Sequence, residues 1–104
     1  MGDVRRMPVR SAPIELEGSY EGWTAMVRVN MPVVQYNVLF GGSWAERFGA
    51  LAEVVLEWNF VDDEGMEIPI TPDGMELLPL DLLQDLLRRI DEAVAAPLAV
   101  SRPS

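Results

Sequence analysis

The chain has 104 residues, and its 17 acidic and 8 basic residues give a formal net charge of -9 at pH 7. It contains no cysteine and no histidine, which excludes a disulfide framework, a catalytic triad, and any metal centre built on those side chains. The acidic charge would repel a phosphate backbone, so nucleic acid is not an expected partner.

The remaining composition predicts a single domain without catalytic machinery. All basic residues are arginine, which excludes Schiff-base catalysis by lysine, and we expect neither an enzyme nor a cofactor or metal site. No apolar run approaches the roughly 20 residues that cross a bilayer, and the first residues lack the apolar core of a secretory signal. We expect a flexible arm at residues 1–13, one domain at residues 14–97 and a flexible tail at residues 98–104.

The first predicted element is a β-hairpin at residues 14–29. Apolar and polar side chains alternate in both halves of this segment, which is the period of half-buried strands. Gly18, Ser19 and Gly22 between the halves favour a turn. Pro32 then ends the pairing, because proline has no amide to donate.

Residues 33–40 fit either a short helix or a strand. Their large apolar side chains follow no single period: Val33, Tyr36, Val38 and Phe40. Gly41 and Gly42 end the segment in both cases.

A long helix is predicted from Ser43 onward. Ser43 and Glu46 have the spacing of a capping box, in which each side chain binds the other residue's amide. An apolar stripe with spacings of three and four residues follows, consisting of Trp44, Phe48, Leu51, Val55 and Trp58. Such a stripe predicts one core helix that continues to Trp58.

Residues 62–65 form an acidic segment that predicts a tight turn rather than a calcium loop. An EF-hand loop that began at Asp62 would need glycine at position 6, where this chain has Glu67. Gly65 is instead placed to adopt a positive φ. Thr71 and Pro72 then favour a single capped helical turn or a β-turn rather than a long helix.

The last predicted helix begins near Pro79 and ends at Pro97. Asp85 and Arg89 have the spacing of an ion pair, and the acidic end precedes the basic end, as the helix dipole favours. The apolar face of this helix is wide and comprises Leu82, Leu83, Leu86, Leu87, Ile90 and Val94. Either the hairpin also covers this face, or part of it remains for a partner.

These elements predict an α+β fold, in which an N-terminal β-hairpin packs on two or three helices and a short acidic turn separates the two main helices. The predicted core consists of Trp23, Trp44, Phe48, Leu51, Val55, Trp58, Leu83, Leu86, Leu87 and Ile90.

One part of the chain also carries a family pattern. A Val/Leu-rich helix is followed by Glu57, Trp58, Asn59, Phe60, Asp62, Asp63, Gly65, Ile68, Pro69 and Thr71, and then by Leu78, Pro79, Asp81, Leu82, Leu83 and Ile90. This order of residues, over roughly residues 43–94, resembles small proteins of tailed-phage and prophage structural modules that look like tail assembly chaperones.

The resemblance implies a non-enzymatic morphogenesis factor in the host cytoplasm that binds hydrophobic helical segments of a tape-measure-type or other tail protein. The alternative is a structural or connector subunit that is retained in the virion. A homo-oligomer is compatible with both. We expect partner binding at the apolar face of the last helix and at the hairpin, with the candidate residues Leu82, Leu83, Leu86, Leu87, Ile90, Met26 and Trp23.

Overall fold

The computed structural model describes residues 8–101, and side chains up to residue 95. Its elements in chain order are β1 (Ser11–Glu15), a 3-10 turn (Gly18–Tyr20), β2 (Thr24–Arg28), α1 (Val33–Gly41), α2 (Trp44–Val54), β3 (Val55–Trp58), α3 (Pro72–Met75) and α4 (Leu80–Ser101). They combine a three-stranded antiparallel sheet with helices, which confirms the predicted α+β class.

The predicted hairpin is present. β1 pairs with β2 in antiparallel register, with Ile14 opposite Ala25. The connection uses Gly18 and Gly22 at φ values of 67° and 89°, a region that other residues rarely adopt. β1 begins at Ser11, so three residues assigned to the flexible arm belong to the sheet. Residues 1–7 of that arm lie outside the described part of the chain.

Residues 33–40, which fitted either a helix or a strand, lie in helix α1. The aromatic rings of Tyr36 and Phe40 lie one helical turn apart on α1, and their centroids are 4.7 Å from each other. Gly42 follows the helix and donates its amide to the carbonyl of Val38. A Cβ atom at Gly42 would come within 2.7 Å of that carbonyl oxygen, so the chain needs glycine where α1 ends.

The helix predicted from Ser43 to Trp58 is shorter than expected. Its start is confirmed, because Ser43 and Glu46 form the full capping box. It ends at Val54, and the chain passes directly into β3, which pairs with β2. Val55 and Trp58 suited the helical stripe, but the same two residues lie opposite Val27 and Ala25 in the sheet. Strand pairing therefore overrides the helical period.

The acidic segment forms the predicted tight turn. Gly65 has a φ of 80°, and one carboxylate oxygen of Asp62 accepts hydrogen bonds from the amides of Glu64 and Met66, both at 2.9 Å. Thr71 then caps α3 through a 3.0 Å bond from the amide of Gly74. Because β3 precedes it, this turn joins a strand, rather than a long helix, to the helical C-terminal part.

The final helix is longer than predicted. Pro79 accepts the first helical hydrogen bond from the amide of Leu83, and α4 continues through Pro97 to Ser101. The predicted ion pair is present, with 2.9 Å between Arg89 Nε and an oxygen of Asp85. α4 packs against β1. Within the described part of the chain, no helix is long and apolar enough to span a bilayer.

One hydrophobic core joins the sheet to the helices. Its largest fully buried side chains are Phe60, Leu39, Leu51, Met75, Leu82, Leu86, Ile90, Val27 and Val54. Of the predicted core residues, Trp23, Phe48 and Trp58 are only partly buried at its margin. Trp44 is 37% exposed, so its assignment to the core is wrong. Its ring lies against Phe48 and under the Arg47 guanidinium on the surface of α2.

Candidate protein-binding surface

The predicted partner-binding face of the last helix is inside the protein. Leu82, Leu86 and Ile90 are fully buried, and Leu83 and Leu87 are only 3% and 7% exposed. The expectation that an edge of this face stays uncovered is therefore wrong for these five residues. The wide face is covered by the chain itself, including β1, rather than left for a partner.

The two hairpin candidates do not join this face into one site. Trp23 is partly buried, with its ring 5.0 Å from Phe60 and 5.6 Å from Tyr20. Met26 lies between the buried residues Ala25 and Val27, so the alternation of the strand places it on the outer face of the sheet. The structure thus separates the predicted residues into a core face, a core margin and an outer sheet face.

A different apolar surface lies between α1 and α2. An open groove of about 490 Å³ runs between the two packed helices and is lined by Pro32, Val34, Gln35, Val38, Glu46, Gly49, Ala50 and Glu53. Val34 is 70% exposed, and its neighbour Val33 is 75% exposed. Aliphatic side chains with this much exposure present apolar surface to solvent, and a bound partner would remove that surface from water.

Gly49 lines the groove on the α2 side. A Cβ atom at Gly49 would meet nothing within 4 Å, so the space beside α2 is empty at this position. The buried side chain of Ala50 lies next to it. A Cβ atom at Gly49 would therefore fit without displacing neighbouring side chains.

Two carboxylates of α2 line the groove. The Ser43 amide donates to Glu46 at 3.0 Å, and this bond lowers the pKa of the Glu46 carboxyl. Glu53 accepts a hydrogen bond from the side chain of Gln35 across the groove. Neither carboxylate forms a salt bridge within residues 8–95. Their charges therefore favour a ligand that carries cations.

Other exposed apolar side chains are dispersed. Leu56 lies on β3, Met66 lies in the acidic turn, Leu77 precedes α4, and Leu80 is the first residue of α4. None of the four lines the α1–α2 groove. The groove combines concavity, exposed aliphatic groups and charge, whereas these single residues do not.

The described part of the chain offers no arrangement for metal chemistry. No three Asp or Glu residues between residues 8 and 95 converge to hold an ion. In the acidic turn, Asp62 already uses a carboxylate oxygen to hold two backbone amides.

The groove was not found from sequence because its two walls belong to separate helices. The sequence of α1 had no clear period. Only weak signals marked the two walls: the pair Val33-Val34 directly after Pro32 on α1, and Gly49 inside α2. No family model matches the chain, and neither the curated proteins nor the solved structures contain a significant match.

Proposed function

We propose that this protein is a non-enzymatic assembly factor, similar to a tail assembly chaperone, that binds helical segments of a tape-measure-type protein in the host cytoplasm. The observation that carries the proposal is the open α1–α2 groove, with Val34 exposed on one wall and Glu46 and Glu53 on the other. The order of residues from α2 to α4, which resembles such chaperones, supports the same function.

The groove suits an amphipathic helix. Helices bind in grooves through apolar side chains that recur every three to four residues, and Val34, Val38 and the open space at Gly49 would receive them. Arginine or lysine beside this stripe would pair with Glu53 or Glu46. Burial contributes about 25 cal/mol per Å² of apolar area, so apolar contact supplies the affinity, while charge sets orientation and association rate.

The overall charge suits a chaperone that carries apolar cargo. Of the 17 acidic residues, only Asp3 lies outside residues 8–95, whereas three of the 8 arginines do: Arg5, Arg6 and Arg102. Residues 8–95 are therefore more acidic than the whole chain. Strong net charge keeps a complex with exposed apolar helices dissolved and opposes self-association.

Peptide titration tests the site. Labelled helical peptides from a tape-measure-type protein are titrated with the wild-type chain, with Gly49→Leu, which adds a large side chain to the α2 wall of the groove, and with Gly49→Ala as the matched control. We expect Gly49→Leu to weaken binding about tenfold or more, which corresponds to about 1.4 kcal/mol, and the alanine variant to bind like wild type. Equal affinity of all three proteins would show that the partner binds elsewhere.

The composition of purified particles tests the role. A chaperone leaves the tail when assembly ends, so mass spectrometry of phage particles should not detect the protein. Its stoichiometric presence would favour the alternative, a structural or connector subunit retained in the virion. Light scattering of the isolated protein establishes whether it also forms a homo-oligomer.

A further inference from the structure

The groove has a candidate occupant within the same chain. Residues 4–7 read Val-Arg-Arg-Met and provide two apolar side chains and two cations. The groove offers the complementary set: Val34 and Val38 on α1, and Glu46 and Glu53 on α2. Charge complementarity is therefore present between this segment and the groove.

The residues that follow this segment are held by Asn30, which lies close in sequence to one end of the groove lining. The side-chain amide of Asn30 donates to the carbonyl of Pro8, and its oxygen accepts from the Arg10 amide at 2.9 Å. Asn30 thus holds the chain directly after Met7. Only one residue separates Asn30 from Pro32, which lines the groove.

Few residues separate these positions from the proposed contacts: three steps along the chain lead from Pro8 to Arg5, and three lead from Pro32 to Gln35. Three residues of extended chain span at most roughly 11 Å, which is the reach from Pro8 back to Arg5. From Pro32, one helical turn of about 5.4 Å leads to Gln35, whose side chain binds Glu53. A tether this short gives the segment an effective concentration of the order of millimolar at the groove.

We propose that residues 4–7 dock in the α1–α2 groove of their own chain, with Arg5 and Arg6 beside Glu53 and Glu46, and that this segment competes with external ligands. Val4 and Met7 cover the exposed wall of α1 in this arrangement. The inference uses the groove of the proposed function but does not depend on which protein that groove binds.

Cysteine cross-linking tests the docked arrangement, because the natural chain has no cysteine to interfere. The full chain carries either Val4→Cys with Gly49→Cys, or the control pair Val4→Cys with Met66→Cys. Met66 is exposed in a turn with four acidic residues, Asp62, Asp63, Glu64 and Glu67, so the control measures general attraction to negative charge. We expect an intramolecular disulfide to form several-fold faster in the groove pair, and to lose this advantage when Arg5 and Arg6 are both changed to glutamate.

The outcomes separate the possibilities. Equal rates for the two cysteine pairs, or an advantage that survives the charge reversal, would overturn the proposal. A covalent dimer in place of the intramolecular product would also overturn it, since the occupant would then belong to a second copy. NMR tests docking in a chain without added cysteines. The side-chain amide resonance of Gln35 should differ between wild type and the Arg5→Glu/Arg6→Glu variant, and an unchanged resonance would contradict docking.

Partner binding gives a separate readout. Removal of residues 1–7 should tighten the binding of a tape-measure peptide, because the competing segment is gone. Unchanged peptide affinity after the removal contradicts competition. If no peptide binds either protein, the proposed function fails, while the cross-linking result still decides whether the segment docks.

Discussion

Tyr36 donates its phenolic O–H to an oxygen of Asp91 at 2.7 Å, and this single hydrogen bond joins α1 to α4. Tyr20 makes the equivalent bond to Asp81, also at 2.7 Å, and joins the hairpin turn to the start of the same helix. Two tyrosines thus hold α4 at two points along its length, outside the hydrophobic core.

The Tyr36 bond predicts a loss of stability in alkali. The hydrogen bond to Asp91 raises the pKa of the Tyr36 phenol above its ordinary value of 10.0. A group whose pKa is raised by folding contributes stability that is present below its unfolded pKa and is lost as the pH rises through the folded value. Stability should therefore fall above about pH 10.

Tyr36→Phe isolates this contribution. The variant should have a lower urea midpoint than wild type at pH 7, and its difference from wild type should shrink as the pH rises past 10. A constant difference over that range would show that the variant loses packing rather than this hydrogen bond.

Replacement of two glycines by alanine should change the stability of the protein in opposite directions. Gly49→Ala should stabilise the protein by about 0.5–1 kcal/mol, because alanine favours the helix and its Cβ enters empty space. Gly74→Ala should destabilise it, because a Cβ there would lie 1.9 Å from the carbonyl oxygen of Pro69. Chemical denaturation measures both, and a stabilised Gly74→Ala would contradict the close packing of α3.

Two leucines of α4 should differ in the cost of truncation. Leu86 is fully buried, so Leu86→Ala should cost about 2–5 kcal/mol of unfolding free energy. Leu80 on the same helix is 56% exposed, and Leu80→Ala should change stability by only about 0.5 kcal/mol. Thermal and urea unfolding compare the two, and a similar cost for both would contradict the orientation of α4.

The ion pairs on α4 predict a contribution to stability that acid removes. Hydrogen bonds from Arg89 and Arg88 lower the pKa of the Asp85 carboxyl below 3.8. A carboxyl group whose pKa is lowered by folding contributes stability at pH values above its pKa in the unfolded chain. That contribution is lost as the pH falls through its pKa in the folded protein.

Asp85→Asn should therefore be less stable than wild type near pH 7, and the two proteins should converge below about pH 3.8. Asp63→Asn, in the exposed acidic turn, is the control and should change the profile little. Unfolding curves recorded between pH 2 and 7 test this, and a difference that persists in acid would argue for lost packing at Asp85.

Local signals in the sequence predicted the places where a short motif determines the backbone. The Ser43–Glu46 box located the start of α2, and Gly18 and Gly65 located turns with positive φ. The end of α2 was not predictable in this way, because Val55 fits the helical period from Leu51 and also pairs with Val27 in the sheet, where the register is irregular. Only the pairing with β2, distant in sequence, selects the strand.

The site was harder to predict because exposure depends on tertiary packing. The face formed by residues such as Leu83 and Leu87 was correctly read as apolar, but its width did not tell whether the chain or a partner covers it. The groove depends on the separation of two helices, and no local pattern reports that distance.

The direct passage from α2 into β3 limits how the groove can respond to a ligand. Val54 ends the helix and Val55 begins the strand, so no loop is present to act as a hinge. A ligand that tilts α2 must also pull Val55 away from Val27, its partner in the sheet. The groove wall is thus anchored to the central strand, and adaptation to different ligands falls to α1 and its exposed valines.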